Sequence, residues 1–67
     1  MSKETRFFIY LLEYYAYYKK LSSSVVLREW DRKNITDEIY NMYEMYHSEA
    51  LENAFEDIDR LIASKDK

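Results

Sequence analysis

The sequence predicts an all-α fold, a compact bundle of four helices, and three observations carry that prediction. Glycine and proline are both absent from the 67 residues, so no strong helix breaker interrupts the chain and the turns fall to Ser and Asn. Apolar side chains recur every three or four residues through most of its length and nowhere alternate long enough to make a strand. Ser, Thr and Asn stand at the joints between these periodic stretches, where they cap helix ends.

The first helix is expected over residues 3–21, with Ser2 as its cap and Glu4 in the positive first turn. At about 100° per residue, Phe7, Phe8, Tyr10, Leu11, Leu12, Tyr14, Tyr15, Ala16, Tyr18 and Leu21 cover roughly 240° of its circumference. Ile9, Glu13, Tyr17 and Lys20 fall outside that arc. A domain this small cannot cover such an arc by itself. The expected division turns Phe8, Leu12, Tyr15 and Ala16 toward the other helices. Phe7, Tyr10, Leu11, Tyr14 and Tyr18 are then left for a second chain.

Ser22, Ser23 and Ser24 offer the cap of a short second helix over residues 24–33, which buries Val26, Leu27 and Trp30. Asn34 is its expected left-handed stop, in place of glycine. Thr36 is the expected cap of a third helix ending at His47, with Asp37 and Glu38 complementing its dipole. Ile39, Met42, Tyr43 and Tyr46 form its stripe. Ser48 and Glu49 restart the chain as a fourth helix with a regular seam of Leu51, Ala54, Phe55, Ile58, Leu61 and Ile62. Residues 1–67 read as one helical domain, with residues 64–67 a frayed tail.

Cysteine is absent, which excludes disulfides and thiol chemistry. The longest apolar run, Phe7 to Leu12, ends at Glu13 after six residues. A membrane span needs about 20, so a soluble, cytoplasmic protein is expected. A chain of this length buries only about 60% of the surface its unfolded form exposes. A second copy or a partner protein is the expected staple.

The formal charge of −3 conceals a division along the chain. Residues 1–33 carry seven basic and four acidic side chains, whereas residues 34–67 carry three basic and nine acidic ones. One reading is a solvated outer face; the other is a negative surface that steers toward a basic protein partner. Direct nucleic-acid binding is not expected, because it depends on neutralising phosphates. A related alternative is an inhibitor from a phage or mobile element that offers acidic helices to a nucleic-acid-binding protein.

Two motifs have the residue types of a chemical site. In "EMYH", Glu44 and His47 have the Glu-x-x-His spacing of helical di-iron sites, but such sites need a second copy and further glutamates. His47 reads better as the end of a helix, where its ring bonds a carbonyl. In "FEDIDRLI", Glu56, Asp57 and Asp59 resemble paired carboxylates, yet solvation or pairing with Arg60 suits a helix surface better. No nucleophile, base and orienting group come together, so neither catalysis, a metal nor a cofactor is expected.

The tyrosines are the strongest functional signal. Tyr joins a large apolar body to a polar tip, which suits a surface that is wet alone and dry when bound. Tyr10, Tyr14 and Tyr18 make one row on the first helix, and Tyr40 is expected beside Tyr43 and His47 on the third. The expected partner surface is Phe7, Tyr10, Tyr14, Tyr18, Tyr40, Tyr43, Glu44, His47, Glu56, Asp57 and Asp59.

The order "FFIYLLE" (7–13), "ITDEIYNMYEMYH" (35–47) and "AFEDIDRLI" (54–62) resembles a family of short bacterial proteins, domain of unknown function 3791, over nearly the whole chain. Members usually carry a glycine shortly after the matching His, where this chain has "HSEA". The resemblance implies a protein that is not an enzyme, often encoded beside one that looks like an ADP-ribosyltransferase. It thus implies an antitoxin-like or immunity role, with a homodimer or a hetero-complex as the working form.

Overall fold

Ser2 Oγ accepts the Thr5 N–H at 3.1 Å and starts α1, Lys3–Lys19, as its position predicts. The computed structural model describes residues 1–66; the regular elements among them are all helices, joined by short turns, with no strand. α2, Ser23–Arg32, begins one residue earlier than its spacing suggests, because Ser22 is the cap and accepts the Val25 N–H at 3.2 Å. The third expected helix is two short ones, α3 (Thr36–Tyr40) and α4 (Tyr43–Tyr46). Between them the Met42 N–H bonds to Ile39 O at 3.1 Å, a tighter turn that breaks the four-residue ladder. α5, Leu51–Lys65, completes the fold. Among the described residues there are therefore five helical segments, three of them long, rather than four.

Caps account for the other boundary shifts. Thr36 does not cap α3: its hydroxyl bonds to Asp31 Oδ1, and Ile35 precedes the helix without a side-chain cap. Nor does Ser48 start a helix. Its hydroxyl donates back to Glu44 O (3.2 Å) and Met45 O (2.9 Å), closing the end of α4, and α5 begins after Ala50. α5 also runs through Ser64 and Lys65, expected in the tail; Lys67 lies outside the described residues.

Two helices end in the same way. Asn34 adopts the left-handed conformation expected of it, φ 60°, and its N–H reaches Asp31 O while that of Ile35 reaches Trp30 O. Lys20, with no such tendency, also has φ 60° after α1; its N–H bonds to Tyr17 O and the Leu21 N–H to Ala16 O. These bonds satisfy carbonyls that the helix end would otherwise strand. A side chain with a Cβ is unfavourable in that conformation by about 1–2 kcal/mol. Lys20→Gly is therefore expected to stabilise the chain by roughly 0.5–1 kcal/mol, a rise of about 2–8 °C in Tm for a domain of this size. Thermal denaturation followed by circular dichroism reads it.

The core gathers residues from every element: Leu11, Leu12, Tyr15 and Ala16 of α1, Val26 and Trp30 of α2, Ile39, Tyr46, and Ala54, Phe55 and Ile58 of α5. Ile35, between α2 and α3, is also fully covered. Trp30 lies at the centre, with the Phe8 ring 5.9 Å and the Tyr15 ring 5.5 Å away. The buried part of α1 spans about 140°, from Leu11 to Ala16, and leaves the remainder to solvent. The helical spacing assigns Leu11 to the outward flank, and the structure corrects this. Leu11 is 1% exposed; Tyr43 of α4 against Phe7 and Phe55 of α5 against Tyr18 bring both elements to the side of α1 that carries it. Among the described residues no helix is long and apolar enough to cross a membrane.

Candidate partner-binding site

The outer face of α1 is the candidate site. Lys3, Phe7, Tyr10, Tyr14 and Tyr17 follow one another at steps of four, three, four and three, so they line one edge of the helix. Phe7 is partly covered, whereas Tyr10 and Tyr14 are 48% and 50% exposed and Tyr17 83%. The Tyr10 and Tyr14 rings meet at 4.7 Å, and Tyr18 beside them is 58% exposed. The sequence reading leaves Tyr17 outside the apolar arc and outside the expected partner surface. The four-three spacing, measured from Phe7 rather than from the buried residues, is the signal that picks it out.

At its amino-terminal end the stripe widens. α4 presents Tyr43 and His47 with their rings stacked in parallel, 4.2 Å apart, and both stand edge-on to Phe7. The His47 ring is held by its own helix: Nδ1 lies 2.6 Å from Tyr43 O, so Nδ1 carries the hydrogen and Nε2 is left for solvent. This is the carbonyl-bonded histidine that its position predicts. Together with Lys3, Arg6, Phe7 and Tyr10, the two rings line a shallow depression of about 450 Å³. A second depression of about 450 Å³ lies further along the same face, bounded by Glu13, Tyr14 and Tyr17. The face is thus cationic at one end and anionic near its middle.

Other expected site residues lie elsewhere. Tyr40 is not beside Tyr43; the break at Met42 turns it toward α1, where its ring lies 5.7 Å from that of Phe8 and its hydroxyl 2.8 Å from Thr5 Oγ1. Tyr18 stacks on Phe55 at 5.1 Å. Asp57 and Asp59 serve the fold. Asp59 accepts the Tyr15 hydroxyl at 2.6 Å and Lys19 Nζ at 3.0 Å. Asp57 accepts the Tyr46 hydroxyl at 2.5 Å, and Arg60 at 3.3 Å. Glu44 and Glu56 remain exposed. Lys19–Asp59 and Lys33–Asp66 join the basic half of the chain to the acidic half, so the division of charge is partly cancelled in space; Lys65–Glu38 pairs two residues within the acidic half. Among the described residues no three His, Cys, Asp or Glu side chains converge on a point that could hold a metal ion.

The two buried phenols respond to pH. Burial first, and then the hydrogen bond and negative charge of Asp59, hold Tyr15 protonated well above the ordinary phenol range; burial and then Asp57 do the same for Tyr46. In the unfolded chain both phenols ionise near pH 10. A folded-state pKa raised in this way contributes stability that is complete below about pH 10 and lost as pH rises above it. Above about pH 10 part of the phenolate absorbance is therefore expected to develop together with loss of helical ellipticity. Tyr15→Phe should remove a share of that coupled signal.

The family model described as "Protein of unknown function (DUF3791)" matches residues 6–65. The chain belongs to this family. The DUF3791 match runs from Arg6 of α1 to Lys65 of α5, so it includes the aromatic face and both Asp–Tyr pairs. No curated protein and no solved structure matches the chain.

Proposed function

We propose that this DUF3791 chain is a non-enzymatic, cytoplasmic protein-interaction module, an antitoxin-like or immunity protein that binds and silences a partner enzyme. The observation that carries the reading is the α1 face: Tyr10, Tyr14 and Tyr17 leave about half or more of their surface exposed, and none of them belongs to the buried core. Such aromatic rows give binding hot spots because the ring contributes area at low entropic cost and the hydroxyl tolerates water before binding. Glu13 gives that face its negative component and favours a basic group on the partner. For the partner enzyme we propose an ADP-ribosyltransferase-like protein, the kind that the family resemblance implies is often encoded beside such chains. Co-expression with the product of the neighbouring gene, one of the two tagged, tests the reading. A stoichiometric complex in which the enzyme loses activity is expected. Separate elution of the two proteins at micromolar concentration overturns it.

A further inference from the structure

The polarity of the α1 face selects a more specific occupant when the protein is alone. We propose that a second copy of the chain covers this face, with the two α1 helices antiparallel. Three features lead there. The exposed stripe repeats at the 3.5-residue period with which two helices interlock side chains over several turns. Its two depressions are of matched size, one lined by Lys3 and Arg6 and the other by Glu13. In addition, Arg6 and Glu13 lie seven residues apart along the same edge, beside the stripe, and neither forms an ion pair among the described residues.

A parallel pair would set Lys3 against Lys3 and leave Glu13 beside a tyrosine. Reversal of one helix removes both conflicts. Centred between Phe7 and Tyr10, the antiparallel pair brings Phe7 onto Tyr10 of the partner subunit and Lys3 onto the ring of Tyr14 of the partner subunit, a cation–π arrangement. Arg6 then reaches Glu13 of the partner subunit, and the two-fold axis makes each of these contacts twice. The cationic depression receives an aromatic ring from the other copy, and the acidic depression receives its cations.

The stripe offers about 400 Å² of side-chain surface per copy at the area a tyrosine commonly buries. The total of about 800 Å² lies below the range of permanent dimers. Association is therefore weak, with a Kd in the micromolar range, and the dimer parts on dilution. This proposal concerns the protein by itself; its failure would leave the enzyme-binding reading standing, and the reverse holds too.

Sedimentation velocity from about 5 to 500 µM tests it, with circular dichroism to confirm that each variant folds. Wild-type protein should pass from monomer to dimer across the series. Arg6→Glu and Glu13→Arg each place like charges opposite one another twice, and each should weaken association roughly tenfold or more. The double variant, Arg6→Glu with Glu13→Arg, restores opposite charges in both pairs and should return to within a few-fold of the wild type. A wild type that stays monomeric at 500 µM overturns the proposal. So do single variants that dimerise normally, and a double variant no better than the singles.

Discussion

Trp30→Ala is expected to unfold most of the chain at 25 °C. A domain of this length has a stability on the order of 3–10 kcal/mol, and emptying a fully buried Trp site costs about 3–5 kcal/mol. Trp30 is 0% exposed and packs on Phe8 and Tyr15 of α1, so its loss opens the contact that binds α1 to α2. Loss of the helical signal, or a fall in Tm of about 15 °C or more, is the expected reading. Trp30→Phe should be far milder. The indole Nε1–H is buried with no hydrogen-bond partner among the described residues, an arrangement that costs the native state about 1–3 kcal/mol. Phe keeps a ring in the site and removes that orphan donor, so the net loss should be about 1 kcal/mol or less. Two variants of equal severity would show that the indole N–H is satisfied after all.

Much of this core was legible because helical period is a property of the sequence itself. The seam of α5 and the buried residues of α2 follow from spacing alone, and Ser2, Ser22 and Asn34 follow from the chemistry of their side chains. What escaped was set by tertiary context. Lys20 has no local reason to turn left-handed; it does so because α1 must stop before Ser22 begins α2. Ser48 and Thr36 bear cap-forming hydroxyls, but nearby carbonyls and Asp31 take them first. The acidic motif at residues 56–59 was legible as carboxylates and not as acceptors, because Tyr15 and Tyr46 come to them from 44 and 11 residues away. The break at Met42 mattered most for the site. It sends Tyr40 to the core side of α1 and Tyr43 with His47 to the outer side, which a continuous helix would not do.

Tyr14→Glu with Tyr17→Glu is expected to leave the fold intact and abolish the partner complex. Both side chains are at least half exposed, and neither hydroxyl has a partner among the described residues. Glu is among the better helix formers, so Tm should shift by a few degrees at most, as for other surface substitutions. Tyr18 makes a poorer probe because it also stacks on Phe55, so its loss would mix stability with binding. At an interface a central Tyr commonly carries about 2 kcal/mol or more, so loss of two should weaken the complex by about a thousandfold. The formal charge falls from −3 to −5 by the two added carboxylates, which by itself would speed encounter with a basic enzyme rather than slow it. Loss of binding would therefore report the missing rings and not the altered charge. The single Trp, buried at the centre of the core, supplies the fluorescence signal that confirms folding in the same samples. A double variant that is folded and still binds the enzyme at wild-type affinity would move the contact off α1 altogether.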